Sequence, residues 1–401
     1  MVSAVLFITF FVLLVLNVPI SVCLGLSSAA AILYSGTSLT IVATNIYSGI
    51  SKFLLLAIPF FVLSGNIMAK AGISTRLIRF VDTCVGHRKG GIANVCIIVA
   101  CFFGAISGSG PATVAALGAV LIPAMIERGG FSAAFSTALM ATSSSIAIVI
   151  PPSIAFVVYA SITGVSIGDM FMAGIIPGIL MGLALVVVVM LEVRRNHVVP
   201  SNVEKASAKE RWNAFKDAFW GFLMPVIILG GIYGGIFTPT EAAAVSVVYG
   251  LFVGMVIYRE VSIRDMFDIL VDSAKTTGGI MLIVASASLF SFVCTKFGIA
   301  DAASNLLGSI AHNQFTFLLI VNIIFLIAGC FIDANSAMYI FIPIMLPVCK
   351  ALGYDIVAFG VMATVNLAIG QVTPPVGVNL FVAISIRIKK GLEVTLQEIS
   401  K

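Results

Sequence analysis

Charged side chains are scarce in this chain and make up 10% of its 401 residues. Hydrophobic residues make up 60%, and the mean hydropathy is +1.16. A soluble domain of this length cannot hide so much apolar surface, so the composition indicates a polytopic membrane protein. The formal net charge of +5 is therefore interpreted as a membrane-topology signal and not as a sign of nucleic-acid binding.

Metal-binding and redox patterns are also missing. The seven cysteines include no Cys-x-x-Cys pair, which favours small apolar residues at helix contacts. His87, His197 and His312 lie in separate polar loops, so no histidine-rich metal cluster is expected. The apolar N-terminus lacks the basic region of a signal peptide and continues into a second apolar segment. We interpret it as the first membrane span.

The chain contains an internal duplication. Lys70-Ala71-Gly72-Ile73 recurs as Lys296-Phe297-Gly298-Ile299. The only two Pro-Pro pairs, Pro151-Pro152 and Pro374-Pro375, recur at nearly the same spacing. Many secondary transporters consist of two such repeats with the binding site between them, so the duplication predicts a transporter.

The first repeat is predicted over residues 1–195. Its spans cover about 3–18, 20–35, 53–69 and 171–193, with an amphipathic stretch over 70–89. Two apolar pieces within 91–126 are each too short to cross ~30 Å of hydrocarbon with comfort, so they are interpreted as a re-entrant hairpin. The segment 131–162 is interrupted by polar residues and prolines and is predicted to form a discontinuous helix.

A basic cytoplasmic linker is predicted over 196–218, and a second repeat over 219–401. The second repeat has spans at about 222–236, 240–258 and 277–294, an amphipathic segment over 297–312, a hairpin over 316–350 and a broken helix over 356–388. A counterpart of the span at 171–193 is missing after residue 388. We therefore expect a further membrane helix beyond Lys401.

The basic residues support this layout. With the linker in the cytoplasm, 19 of the 22 Lys and Arg residues fall on the cytoplasmic side, and only Lys52, Lys296 and Lys350 fall outside. This bias follows the positive-inside rule. An odd number of crossings precedes the linker, so the N-terminus is expected in the periplasm and the two repeats are inverted. The hairpins then enter from opposite sides, and their tips can meet near the midplane.

Polar residues at the hairpin tips and helix breaks form two candidate cation sites. Non-helical backbone at membrane depth is expected where it lines a cavity, and hard oxygen ligands suit Na⁺. The first site comprises Ser107, Gly108, Ser109, Ser143, Ser144 and Ser145, and the second comprises Asp333, Asn366, Gly370 and Thr373. Two alternatives remain open, because Ser and Gly also serve close helix packing and Asp333 could simply cap a helix.

Six motifs follow one another along nearly the whole chain: Ile58 to Asn66, Ser107 to Ser109, Ile150 to Ser153, Ala173 to Gly178, Gly235 to Ala242 and Thr373 to Leu380. In this order they resemble the large membrane subunit of TRAP (tripartite ATP-independent periplasmic) transporters. The resemblance implies an elevator-type transporter fold, all-α with two inverted repeats, in the bacterial inner membrane.

The resemblance also implies an activity and partners. The expected activity is Na⁺-driven import of an organic carboxylate, such as sialic acid, a C4-dicarboxylate or a related acid, with two or more coupling ions. The expected partners are a small membrane subunit on a separate chain and a periplasmic substrate-binding protein. The implied substrate-binding residues are Ser109, Gly110, Pro111, Pro151, Pro152, Asn335, Ser336, Pro374 and Pro375.

Two other functions compete with transport as interpretations of the sequence. An intramembrane enzyme using Ser107 or Ser109 as nucleophile would need a nearby base, and the predicted apolar core segments contain no His or Lys. No catalytic residue is therefore assigned. A passive channel for small solutes stays open as an alternative, and dependence of uptake on a sodium gradient separates it from a transporter.

Overall fold

The computed structural model describes residues 1–195, 205–311, 313–389 and 396–399. Within these residues every regular element is helical and no strand occurs, which confirms the predicted all-α class. Eight helices in this part of the chain are long and apolar enough to cross a membrane. The α-helices are α1 (Val2–Val15), α2 (Ile20–Tyr34), α3 (Thr40–Ile50), α4 (Ala57–Lys70), α5 (Ile73–Val85), α6 (Gly91–Ser107), α7 (Gly110–Glu127), α8 (Ala133–Ser145), α9 (Ile154–Thr163), α10 (Ile167–Arg195), α11 (Ala208–Tyr233), α12 (Pro239–Leu251), α13 (Ile263–Lys296), α14 (Ile299–Ile310), α15 (Gln314–Phe331), α16 (Ala334–Ala351), α17 (Ile356–Gly370), α18 (Val378–Lys389) and α19 (Leu396–Ile399).

The two halves repeat the same order of helices and pack across each other. Helix α2 packs against α13, and α12 packs against α4. In the same way, α9 packs against α16, and α18 packs against α7. Each contact thus recurs with the roles of the two halves exchanged, which is the relation that a two-fold axis produces. The duplication seen in the sequence is therefore also present in the packing.

The repeated Lys-x-Gly-Ile motifs mark equivalent turns. Gly72 separates α4 from α5, and Gly298 separates α13 from α14. Their φ angles are +68° and +67°. Glycine adopts this left-handed conformation at little cost, so each motif ends a membrane helix and starts an amphipathic one.

The halves differ in the helix that precedes this turn. Helix α13 is continuous over 34 residues, about 51 Å at 1.5 Å per residue. Its first-half counterpart is divided into α3, a 3₁₀ turn over Phe53–Leu56, and α4. Pro59 lies in the first turn of α4, where its missing N–H is tolerated. If α3 and α4 formed one continuous helix, the Pro59 ring would clash with the preceding turn, so the helix is divided here. Helix α3 is not among the spans predicted from the sequence.

Two helices begin earlier than predicted, for the same reason. Ser207 and Glu210 form a capping box at the start of α11, with Glu210 Oε2 accepting from Ser207 N at 2.7 Å. Ser262 and Asp265 form another at the start of α13. A capping box starts a helix ahead of its apolar stretch. The predicted linker over 196–218 is consequently helical from Ala208 onward, while residues 196–204, including His197, and also His312 lie outside the described residues.

Candidate transport site

The first hairpin consists of α6 and α7, joined by Gly108 and Ser109. Gly108 has a φ of +61° and its N–H donates to Gly104 O at 2.8 Å, closing α6. Ser109 is extended and precedes α7 without a side-chain capping bond. The hydroxyl of Ser107 is 2.8 Å from that of Thr113, and Thr113 Oγ1 donates to Ser109 O at 2.9 Å. The tip is therefore ordered by its own hydroxyls, while the start of α7 carries no acidic side chain.

The second hairpin consists of α15 and α16, joined by Ile332 and Asp333. Asp333 is the N-cap of α16, and its Oδ2 accepts from Asn335 N at 3.0 Å and from Ser336 N at 3.2 Å. Its Oδ1 accepts from the Ser336 hydroxyl. Asp333 therefore caps a helix, which was one of the two roles that the sequence left open for it. A carboxylate oxygen has more than one acceptor position, so capping leaves acceptor capacity unused.

Each tip rests against the break in the discontinuous helix of its own half. Ile154 N donates to Gly108 O at 3.4 Å in the first half. In the second half, Val376 N donates to Cys330 O at 3.1 Å and Gly377 N donates to the same oxygen at 3.3 Å. A carbonyl at the end of the first helix of each hairpin is thereby satisfied by backbone N–H groups at the break, as burial in an apolar setting requires.

Equivalent glycine contacts bring each hairpin close to its broken helix. A Cβ on Gly104 would lie 2.8 Å from Ala147 Cα. In the second half, a Cβ on Gly370 would lie 2.5 Å from Gly329 Cα. Only a residue without a side chain fits at such distances, so these glycines fix the position of the tips.

Both tips line one cavity of about 400 Å³. The first tip contributes Gly108, Ser109 and Pro111, and the second contributes Asp333, Ala334 and Asn335. A second cavity of about 400 Å³ shares Ser109 with it and extends to Ser107. Below, the "tip cavity" denotes the first of these, which is lined by residues from both repeats.

The third wall of the tip cavity is α13, which the sequence analysis did not include. Lys275, Thr276 and Gly279 face the cavity from this helix. The sequence layout had placed Lys275 with the cytoplasmic basic residues, before a span starting at 277. Because α13 begins at Ile263, Lys275 lies within this helix and not in a loop that precedes it. The early capping box at Ser262 was the signal that could have revealed it.

Several predicted site residues lie outside the lining of the tip cavity. The hydroxyls of Ser144 and Ser145 donate to carbonyls in their own helix, at 2.6 Å and 2.7 Å, while Ser143 Oγ is buried without a hydrogen-bond partner. Asn366 donates to Asn322 Oδ1 beside a different cavity. The remaining residues of this kind are Ser107, which lines the second cavity, and Gly110, Pro151, Pro152, Ser336, Gly370, Thr373, Pro374 and Pro375.

Two buried amides that were not named individually as ligands also lie beside the first tip. Asn379 has none of its surface exposed, and neither its Oδ1 nor its Nδ2 has a hydrogen-bond partner. Gln371 is 4% exposed, lines the tip cavity and has an unpartnered Oε1. A Cβ on Gly110 would lie 2.8 Å from Asn379 Nδ2 and 3.1 Å from Gln371 Oε1. Unpaired buried amides are costly, so their convergence at the start of α7 points to a polar ligand there.

The oxygen-rich tips suit a hard monovalent cation better than a transition metal. No group of three or more His, Cys, Asp or Glu side chains that could hold a metal ion occurs among the residues described. Carbonyl, hydroxyl and amide oxygens are available at both tips, together with the single carboxylate of Asp333. These donors fit Na⁺ by their chemistry.

Residues 7–401 match the family described as "Tripartite ATP-independent periplasmic transporter, DctM component". The chain belongs to this family. It is 42% identical over 360 residues to the C4-dicarboxylate TRAP transporter large permease protein DctM of Pseudomonas aeruginosa, covering 90% of this chain and 84% of the relative. It is 37% identical over 354 residues to the sialic acid TRAP transporter large permease protein SiaM of Vibrio cholerae, covering 88% and 82%.

The fold is similar to that of a solved transporter. The YdaH transporter of Alcanivorax borkumensis superposes with a TM-score of 0.61 over 92% of this chain and 84% of that one, at 13% sequence identity. At this identity the likeness concerns the fold alone. The resemblance drawn from the sequence motifs is thus confirmed: the chain is a TRAP transporter large permease.

Proposed function

We propose that this TRAP permease imports an organic acid by Na⁺ symport, with the tip cavity as its substrate site. The observation that supports this most strongly is that two hairpin tips, one from each repeat, line the same cavity. Inverted-repeat transporters bind their substrate at such a junction. The cavity volume of about 400 Å³ suits a small organic acid.

The acid group is proposed to bind at the start of α7. Backbone N–H groups at a helix N-terminus carry partial positive charge and favour an anion. Neither Ser109 nor an acidic residue caps α7, so this N-terminus is open. The unpartnered amides of Gln371 and Asn379 beside Gly110 supply further donors and acceptors.

Na⁺ is proposed to bind at the two tips and to order them before the acid arrives. Asp333 and nearby tip oxygens would hold one ion, and Ser107 to Ser109 another. Bound Na⁺ would lower the cost of bringing an anion beside the Asp333 carboxylate. This linkage makes uptake of the acid depend on the sodium gradient.

Transport is proposed to follow an elevator-like movement in the bacterial inner membrane, with a periplasmic N-terminus. The hairpins and broken helices would move together as one group. The other group would consist of α2, α4, α12 and α13, which pack against one another across the two halves. The turns at Gly72 and Gly298 connect these two groups of helices. A separate small membrane subunit and a periplasmic binding protein complete the assembly in this proposal.

Uptake into proteoliposomes tests the proposed function. The permease is reconstituted with its small subunit and binding protein, and labelled acids are offered with and without an inward Na⁺ gradient. Concentrative uptake that requires both Na⁺ and the binding protein is expected. Uptake that merely equilibrates, and does so without Na⁺, would contradict the proposal and favour a channel.

A further inference from the structure

The end of α10 presents two cations directly after an exposed apolar face. Helix α10 has 29 residues, a length of about 44 Å, which exceeds the ~30 Å hydrocarbon thickness of a bilayer. Leu191 near its end is 58% exposed, and Arg194 and Arg195 follow at exposed positions. An apolar surface that gives way to positive charge within one turn is typical of a helix end at a membrane interface.

The turn between α5 and α6 packs against this helix end and adds two more cations. A Cβ on Gly90 would lie 2.9 Å from Val193 Cγ2 and 3.1 Å from Val189 Cγ1, so the turn contacts the last two turns of α10. Arg88 and Lys89 directly precede Gly90, and both are exposed. Two cations of the turn therefore lie close to two cations of the helix.

The start of α11 approaches the same place. Near the start of α5, a Cβ on Gly221 would lie 2.9 Å from Ile73 Cγ2. Further along α5, the ring centroids of Phe80 and Phe215 are 5.5 Å apart, so the two helices run antiparallel. One more turn back along α11 brings Arg211 to the end of α5, next to the turn that packs on α10.

These three segments form a cluster of cations without a counter-charge in the described part of the chain. Below, the "basic cluster" denotes Arg88, Lys89, Arg194, Arg195 and Arg211. None of the five forms an ion pair with another described residue. Arg211 stands out, since its Nε and Nη2 are buried and have no hydrogen-bond partner. Because a buried charged group without a partner is costly, an anion is expected to complete the site.

Acidic side chains near the basic cluster are already engaged. Asp82 and Asp217 each accept a hydrogen bond from an arginine outside the cluster, at 2.9 Å and 3.3 Å. Glu210 caps the start of α11, and Glu192 on α10 is not free either. The described part of the chain thus leaves the positive charge of the basic cluster to an anion from outside.

A phospholipid fits this position better than a soluble anion. Exposed apolar residues of α10, among them Val187, Val188 and Leu191, continue directly from the basic cluster. Trp212, beside Arg211 in the chain, is 57% exposed, and tryptophan is typical of membrane interfaces. Inorganic phosphate would use only the cations, whereas an anionic phospholipid would also cover the apolar face with its acyl chains.

We propose that the basic cluster binds the phosphate of an anionic phospholipid whose acyl chains lie along the exposed face of α10. Arginine suits this role because its planar guanidinium matches two phosphate oxygens at once. The headgroup would join the α5–α6 turn, the end of α10 and the start of α11, and would supply the partners that Arg211 lacks. Binding at this site does not depend on the proposed transport function, because none of the five residues lines the tip cavity.

Lipid titration of the purified complex of permease and small subunit tests the site. The complex is depleted of lipid in an uncharged detergent, and its Tm is followed while dioleoylphosphatidylglycerol, dioleoylphosphatidylcholine or sodium phosphate is added. The two lipids have the same acyl chains and differ in the net charge of the headgroup. Half-maximal stabilisation by phosphatidylglycerol is expected at a concentration more than about tenfold below that for phosphatidylcholine, and sodium phosphate should not raise the Tm.

A double variant removes charge from the exposed part of the basic cluster. Arg88→Gln combined with Lys89→Gln should raise the phosphatidylglycerol midpoint about tenfold, since each cation near an anionic lipid contributes up to about fivefold in affinity. The phosphatidylcholine midpoint should stay the same. Both residues are exposed, so the Tm of the lipid-depleted complex should change little.

The matched control removes the same charge at the opposite end of α5. Arg259 and Arg264 are exposed and flank Glu260, which pairs with Arg76 in the first turn of α5. Arg259→Gln combined with Arg264→Gln should leave the phosphatidylglycerol midpoint within about twofold of the wild type, because neither residue belongs to the basic cluster.

Arg211→Met separates lipid binding from a structural role. Without lipid the buried guanidinium nitrogens have no partner, so removing them should not lower the Tm of the lipid-depleted complex. The phosphatidylglycerol midpoint should nevertheless rise about fivefold. A lower Tm combined with an unchanged lipid response would instead show that Arg211 only supports the fold, and would overturn its role in the site.

Four results would overturn the proposal as a whole. They are equal midpoints for the two lipids, an unchanged phosphatidylglycerol midpoint in the variant of Arg88 and Lys89, an equally large rise in the variant of Arg259 and Arg264, and full stabilisation by sodium phosphate alone. The third result would mean that overall surface charge decides the response, and the fourth that the ligand is a free phosphate and not a lipid.

Discussion

The two hairpin tips occupy equivalent positions in the two repeats, yet they differ in charge. The first tip ends at Ser109 and leaves the N-terminus of α7 open. The second tip ends at Asp333, whose carboxylate caps α16 through bonds to two backbone N–H groups and one hydroxyl. The same backbone arrangement is therefore uncapped by a side chain in the first half and carries a carboxylate in the second. This difference in charge is the basis for proposing ligands of opposite charge at the two tips.

Both halves have a close glycine contact between the hairpin and the broken helix. Breaking this contact should have the largest effect on the Tm. Gly370→Ala places a Cβ where Gly329 Cα lies 2.5 Å away, and Gly104→Ala places one 2.8 Å from Ala147 Cα. Overpacking of this kind costs about 1–3 kcal/mol, so both variants should show a clearly lower Tm in detergent.

Gly230→Ala is the matched control, because no atom lies within 4 Å of its added Cβ. Its Tm should stay the same or rise slightly, since alanine favours a helix. If only one of Gly104→Ala and Gly370→Ala lowers the Tm, the two tips are not anchored in equivalent ways.

Removing the Asp333 carboxylate should have the next largest effect on stability. Asp333→Ala loses the cap of α16, which costs about 1 kcal/mol. It should also weaken the Na⁺ dependence of uptake, because one proposed ion site loses its carboxylate. Thermal unfolding and the Hill coefficient for Na⁺ measure the two consequences separately; a lower Tm with unchanged Na⁺ cooperativity would assign Asp333 to capping alone.

Ser109→Ala is expected to change binding but not stability. The Ser109 side chain makes no capping bond. Its loss should therefore leave the free energy of unfolding within about 0.5 kcal/mol of the wild-type value. Ser109 lines the tip cavity, and the KM for the acid should therefore rise severalfold. A Tm loss as large as that of Asp333→Ala would mean that the two tips are capped alike.

Lys52 should affect stability alone. It lies at the break between α3 and α4, and its Nζ donates to Ser161 O at 2.7 Å. Lys52→Met should cost about 1 kcal/mol, whereas Lys350→Met, at an exposed residue near the end of α16, should be neutral. Equal Tm values for the two variants would show that this bond does not support the divided helix of the first half.

The sequence predicted the hairpins and broken helices closely because Gly, Pro and polar residues interrupt apolar runs at those places. The helices α6, α7, α15 and α16 lie within a few residues of the predicted pieces. The earlier starts of α11 and α13 were missed because capping boxes extend helices into polar sequence. Local sequence patterns were sufficient wherever nearby Gly, Pro or polar residues determine the helix boundary.

The lining of the cavity was harder to predict because it depends on packing between distant segments. Gln371, Asn379 and Lys275 come together with the first tip only in the folded chain. The backbone of the first tip hydrogen-bonds to Ile154, which was not among the predicted partners, and the pairing of this tip with Ser143 to Ser145 in a cation site stays a prediction. Residue type identified the tips, but it did not identify what the tips face.

The central claim is that both tips enclose one substrate, and cysteine protection tests it most directly. Ser109→Cys and Asn335→Cys are introduced separately into a permease without reactive native thiols, and each is labelled with a small thiol reagent. The transported acid, added with Na⁺, should protect both positions with the same midpoint concentration. Protection of one position while the other labels at its full rate would contradict a shared site.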